Sequence, residues 1–234
     1  MTFSPQPSTL NSQLATPNPS MTLLSIDRST DVPSVALAQE DGGLCRVFEG
    51  AAARQADWPV KVQELLAEKA LTFCDLDRIV VGTGPGSFTG IRGALSFVQG
   101  LAIGIRAKRA AKTADPLVYG LPSAAALAQD EGVTAVVGDA RRGLFWLAVY
   151  EGARTVENLH LVTKEELPAA VPTEAVVVTP DGARIGTVLG ELFGARFAGS
   201  RAPSAERLAQ LALAHPELLV PEPLPIYLSP AVRT

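Results

Sequence analysis

The chain has 234 residues and a formal net charge of −4. That acidic balance argues against a nucleic-acid binder acting alone, and two histidines (His160, His215) with two cysteines (Cys45, Cys74) at these spacings exclude a Cys/His zinc site. Charged residues at 19% and hydrophobic residues at 47% describe an ordinary globular chain, long enough for one large domain or two compact ones.

Residues 1–20 contain no Lys, Arg, Asp or Glu and carry prolines at 5, 7, 17 and 19. They lack the basic start and apolar run of a secretory signal, and they hold too little apolar surface to offset the entropy of ordering. A disordered tail is expected; a start at Met21, just before the first apolar run, is the alternative. Beyond the tail, Pro116–Gln129 is a charge-free stretch of fourteen residues, short of the roughly 20 that span a bilayer. A soluble cytoplasmic protein with free thiols and no membrane partner is expected.

The apolar run Leu23-Leu24-Ser25-Ile26 reads as a buried strand ending at Asp27, with Ser34–Ala38 as its hairpin partner. The Asp41-Gly42-Gly43 turn leads to a third strand over Leu44–Glu49. Pro59 marks a helix start, and Val62, Leu65, Leu66 and Ala70 share one helical face. Ile79–Val81 is a short buried strand that runs into a glycine-rich loop at Gly82–Ser87. A second helix follows, with Phe88, Ile91, Leu95, Val98, Ala102 and Ile105 at steps of three and four.

The second half begins in the same way. Val133–Val137 is a strand that leads through Gly138 to Asp139, a polar turn follows at Ala140–Gly143, and Leu144–Tyr150 returns as a hairpin strand. Asp27 and Asp139 occupy equivalent places, which suggests a duplicated lobe; two hairpins that merely look alike is the alternative. Farther on, Ala175–Thr179 is a strand closed by Pro180-Asp181-Gly182. Ser204 N-caps a helix running to Ala214, and Ile226–Leu228 is expected as a short final strand. The predicted organisation is a tail over 1–20, an N-terminal lobe over 21–115 and a C-terminal lobe over 116–234.

The most distinctive segment is Gly82-Thr83-Gly84-Pro85-Gly86-Ser87-Phe88-Thr89-Gly90-Ile91-Arg92. A glycine-rich loop between a strand and a helix N-terminus presents free N–H groups and a helix dipole to an anion. No Gly-Lys follows, so this is not a P-loop, and the spacing is not that of a dinucleotide fold. A tight turn with Ser87 or Thr89 capping the helix explains the same residues. Asp27, Gly84, Gly86, Ser87, Thr89, Arg92 and Asp139 are the candidate anion or nucleotide contacts. The two aspartates would face each other across a cleft and suit a hydrated Mg ion, or each would cap its own turn.

Asp27-x-Ser29-Thr30, the Gly-Pro-Gly-Ser-Phe-Thr-Gly-Ile-Arg run at 84–92 and the Asp139–Gly143 turn, in this order, resemble the TsaB (YeaZ) family of bacterial tRNA threonylcarbamoyladenosine biosynthesis proteins. The resemblance covers about residues 22–230. It implies an α/β fold of the actin/Hsp70/sugar-kinase (ASKHA, ribonuclease H-like) type with duplicated lobes and mixed sheets. It implies a non-catalytic subunit that pairs with the catalytic relative TsaD and with the ATPase TsaE. Their complex carries threonylcarbamoyl to the adenosine beside the anticodon in tRNAs reading codons that begin with A. The chain would homodimerise when alone, touch tRNA only through the complex, and carry no cofactor of its own, with ATP and Mg belonging to the assembled complex. Three positions depart from the family pattern: Arg28 stands in place of a Thr, Ala53–Asp57 lacks a His, and Ser229 follows Tyr227-Leu228 where the family has Arg.

The apolar stripe of the second helix is core or partner interface by pattern alone, and the resemblance favours interface. The candidates are Val62, Leu66, Phe88, Ile91, Ala94, Leu95, Val98 and Leu101, with glycines at 93, 100 and 104 on neighbouring faces. Arg106, Lys108, Arg109 and Lys112 follow as a basic cluster, suited to tRNA phosphate or to the helix C-terminus. The competing function is a small Mg-ATP-dependent phosphotransferase or ATPase using the Asp27/Asp139 cleft. A glycoprotease would lack both metal ligands and a triad.

Overall fold

A computed structural model describes residues 21–39, 44–49, 58–109 and 117–228. The expected tail at 1–20, Lys112 and Ser229 lie outside the described residues. The first sheet takes β1 (Thr22–Asp27), β2 (Ser34–Gln39), β3 (Leu44–Glu49), β4 (Arg78–Gly82), β5 (Val118–Leu121) and, from the far end of the chain, β11 (Val220–Pro221). Its order is β11-β5-β4-β1-β2-β3. The strands β1, β4 and β5 are parallel, and β2, β3 and β11 are each antiparallel to their neighbours.

The second sheet repeats this plan. It is built from β6 (Val133–Arg141), β7 (Leu144–Glu151), β8 (Arg154–Thr163), β9 (Val176–Thr179) and β10 (Phe197–Ser200), in the order β10-β9-β6-β7-β8. Here β6, β9 and β10 are parallel, and β7 and β8 are antiparallel. The helices also correspond. α1 (Trp58–Ala67) and α2 (Phe88–Lys108) flank β4, as α3 (Leu167–Ala170) and α4 (Gly182–Phe193) flank β9. A last helix, α5 (Ala205–Ala214), packs back on β1, β2 and β4. This duplicated β-β-β-α-β-α-β plan is the actin/Hsp70/sugar-kinase type of fold.

Strand periodicity explains the layering. β1 is buried along its whole length, and alternate residues serve different cores. Leu24 and Ile26 pack with α1 and α2 on the outer side, while Leu23 joins α5 in the cluster between the sheets. The same middle cluster takes Val136, Val178 and Trp146 from the second sheet. Ala135 and Val137, one residue out of phase, face Ile185, Leu189 and Phe193 of α4. The molecule is therefore five layers: α1 and α2, sheet, α5 with a 3₁₀ turn at Ser123–Leu127, sheet, α3 and α4.

Several expected boundaries move. The strands of the first sheet do not stop at residue 115, because β5 and β11 both pair within it. The expected strand at Ile226–Leu228 does not form. Pro223 and Pro225 break the run of ladder donors, and only Ile226 N–H reaches across, to Thr83 O at 2.9 Å. Ala70 lies past the end of α1, exposed and left-handed at φ 55°. α2 is long and apolar enough by length and composition to cross a bilayer. Its apolar face is instead spent on the core through Ile91, Ala94, Leu95, Val98, Ala102 and Ile105.

Candidate functional site

The parallel strands of both sheets end at one cleft of about 720 Å³. It is lined by the β1–β2 turn, the loop before α2, the β6–β7 turn and the start of α4, with Ser29, Ser87, Asp139, Arg184 and Arg201 among the polar groups. Ligands of open α/β sheets bind in this position.

At the first-lobe end, Asp27 is fully buried. Its Oδ1 accepts from Ser29 N–H at 2.9 Å and Ser29 Oγ–H at 2.7 Å, an Asx-type cap. Its Oδ2 faces the Ser123 hydroxyl across Gly82 and has no well-formed hydrogen bond among the described residues. Burial pushes this carboxyl above its ordinary range, and the nearby Ser123 hydroxyl and the bonds from Ser29 only partly oppose it. Ser29 in turn pins the glycine loop, its carbonyl accepting from Ser87 N–H at 2.6 Å. Gly84 N–H is likewise taken, by Ser123 Oγ at 3.0 Å. Ser87 Oγ caps α2 by accepting from Gly90 N–H at 3.2 Å.

These contacts correct the expectation of Asp27 and Gly84 as anion or nucleotide contacts. Asp27 is not among the residues that line the cleft, and the Gly84 donor is used inside the fold. Gly86 and Ser87 do line the cleft. Thr89 and Arg92 are exposed on the first turns of α2, where the Arg92 guanidinium lies 4.9 Å over the Phe88 ring.

At the second-lobe end, Asp139 repeats the same turn: its Oδ1 accepts from Arg141 N–H at 2.8 Å, two residues on, as Asp27 does from Ser29. The shared turn adds to the case for duplication. Asp139 stays within reach of the cleft, but Arg184 Nε contacts its Oδ2 at 2.7 Å and Arg141 Nη1 approaches it at 3.3 Å. One acid sealed in the core and one already paired with guanidinium do not fit a Mg-nucleotide held between the lobes.

The helix residues divide differently from the sequence expectation. Val62, Leu66, Ile91, Ala94, Leu95 and Val98 are all core, packed against β1, β2 and β4, so their side chains offer nothing to a partner. Leu101 is partly buried against the same cluster. Phe88 leaves the stripe: it is 57% exposed and meets the Tyr227 ring at 5.8 Å. The outward face of α2 carries Gly93, Gly100 and Gly104, each with open space where a Cβ would stand, and Ile103 at 69% exposure. Sequence reading passed over Ile103; a large aliphatic residue off the buried stripe and beside glycines was the available signal.

The basic cluster is also partly structural. Arg109 donates through Nε to Cys74 O at 2.8 Å and through Nη2 to Leu76 O at 2.8 Å, closing the 3₁₀ turn at Phe73–Asp75. His215 caps α5 and contacts Glu217, while His160 meets Asn158 O and Glu157.

A family model described as TsaD, tRNA N6-adenosine threonylcarbamoyltransferase, matches residues 52–159. An uncharacterized protein of Mycobacterium tuberculosis is 36% identical over 142 residues, covering 58% of this chain and 62% of its own length. The protein named tRNA threonylcarbamoyladenosine biosynthesis protein TsaB in Escherichia coli is 33% identical over 139 residues, covering 56% of this chain and 55% of its own. The alignments thus span about three fifths of these relatives. The crystal structure of YeaZ from Pseudomonas aeruginosa superposes with a TM-score of 0.66 at 28% identity, over 89% of this chain and 100% of that one. The chain is thus similar to TsaB and YeaZ proteins in sequence and fold. A second Pseudomonas aeruginosa structure, described as similar to peptidase YeaZ, gives a TM-score of 0.69 at 26% identity over the same shares.

The departure at Arg28 from the TsaB (YeaZ) pattern has a structural account. Its guanidinium lies 4.9 Å over the Trp58 ring, which itself meets Phe97 of α2 edge-on at 4.6 Å. Arg28 thus joins the end of β1 to both outer helices rather than serving the cleft.

Proposed function

We propose that this protein is a non-catalytic subunit of the tRNA threonylcarbamoyladenosine machinery, working in the cytoplasm, that binds and supports TsaD together with TsaE. The observation that carries the reading is the outward face of α2. Three glycines without neighbours let a second helix approach closely, and Ile103 supplies exposed apolar area beside them. The same face serves a homodimer when TsaD is absent, and tRNA is touched through the complex. Similarity to TsaB over 56% of the chain and to the YeaZ structure over 89% of it supports the reading.

The test uses variants that the fold tolerates. Ile103→Glu and Gly100→Glu place charge on the exposed face without touching the core. Neither should lower the monomer's melting temperature, and both should abolish co-elution with TsaD in size-exclusion chromatography, a loss of at least about tenfold in affinity for a charge placed in an apolar contact. Co-elution that survives both variants would move the interface elsewhere.

A further inference from the structure

Asp27 and Asp139 occupy equivalent turns of the two lobes, and the second is paired with a cation of its own chain. Asp139 lies near the end of β6 and Asp181 precedes α4; both side chains are only 15% exposed. All four of their carboxylate oxygens have donors. Asp139 Oδ1 takes Arg141 N–H at 2.8 Å and Oδ2 takes Arg184 Nε at 2.7 Å. Asp181 Oδ2 takes Asp139 N–H at 2.8 Å, and its Oδ1 pairs with Arg184 Nη2. Arg184 therefore bridges two carboxylates from adjacent strand ends with two edges of one guanidinium. That is the position a hard divalent cation would take between two such carboxylates. The placement is costly for a cation: Arg184 sits in the first turn of α4, at the positive end of the helix dipole. Only the two carboxylates explain it there.

We propose that Arg184 is a resident counter-cation that fills the cation position at Asp139 and Asp181, so that this cleft excludes divalent metal. The proposal concerns this chain's own residues and stands or falls apart from the partner reading. Arg141 does not hold the position, since its side chain is 67% exposed and touches Oδ2 only at 3.3 Å.

The probe is Mn²⁺ alone, followed by electron paramagnetic resonance of the free ion. The wild-type protein should show no saturable binding up to the millimolar range. Arg184→Ala should gain one Mn²⁺ site at least about an order of magnitude tighter than anything in wild type, as two freed carboxylates allow. The site should vanish again in the Arg184→Ala, Asp139→Asn double variant. Arg184→Gln removes the charge while keeping more of the side chain than alanine does, and replaces the alanine variant if that one does not fold. Wild-type binding that is lost on Asp139→Asn would overturn the proposal. So would a folded Arg184 variant that gains no site.

Discussion

Gly86→Ala and Gly90→Ala are expected to destabilise the protein, while Gly100→Ala is expected to stabilise it, although Gly90 and Gly100 lie on the same helix. Alanine is favoured over glycine in a helix interior by about 1 kcal/mol, and at Gly100 nothing stands within 4 Å of the new Cβ. The gain there should approach the full propensity difference, a rise of about 2–4 °C in melting temperature for a domain of this size. At Gly90 the new Cβ would lie 2.1 Å from Arg28 O, and at Gly86 it would lie 2.0 Å from Ser29 O. Both obstacles are backbone carbonyls in a turn pinned by Asp27, so neither can rotate aside. Overpacking of this kind costs about 1–3 kcal/mol, which exceeds the propensity gain at Gly90. Gly86 adds a backbone at φ 156°, and its net loss should be about 3 kcal/mol or more. Urea denaturation of the variants reads all three signs. Gly100→Ala should also weaken assembly while stabilising the monomer, because the added methyl stands where a second helix must approach.

The sheets were largely readable from the chain because their central strands are short apolar runs closed by Asp, Gly or Pro. The repeat was readable because Asp27 and Asp139 end equivalent strands. α4 escaped because Gly186 and Gly190 interrupt its stripe of Ile185, Leu189 and Phe193, and because Asp181 is drawn to Arg184 instead of capping the helix. β8 escaped because it is an edge strand whose residues are mostly exposed, without the alternation of a half-buried strand. At the site, residue types and strand ends were visible, but their partners were not. Nothing local marks Ser123 as the neighbour of Asp27, or Arg184 as the partner of Asp139; both pairings are made by the packing of distant segments. The apolar stripe of α2 was read correctly as a stripe. Its burial by β1, β2 and β4 decides for core.

Asp27→Asn is expected to raise stability at neutral pH and to flatten its dependence on pH. The wild-type carboxyl is fully buried, with Oδ2 lacking a good donor and no cation against it among the described residues. The groups that face it are hydroxyls and backbone: Ser29 and Ser34 from the β1–β2 hairpin, Gly82 from β4, and Ser123. Its folded pKa therefore lies above the unfolded value near 3.8. Between those two values the folded state binds a proton that the unfolded state has released, so stability falls as pH rises. The contribution is whole below the unfolded pKa and is lost by the folded one. Asparagine keeps an oxygen for Ser29 N–H and Oγ–H, and it turns an amide donor toward Ser123 Oγ without carrying charge. Thermal denaturation from pH 3 upward should show a descending limb in wild type that the variant lacks, the difference between the two proteins isolating Asp27 from other carboxylates. Asp27→Ala is the contrasting case. It strands the two Ser29 donors and frees the turn that holds the glycine loop, and it should cost about 2–4 kcal/mol at every pH. If the asparagine variant is instead less stable than wild type at pH 7 and its pH limb is unchanged, the buried carboxyl is ionised and satisfied, and the loop is held by charge.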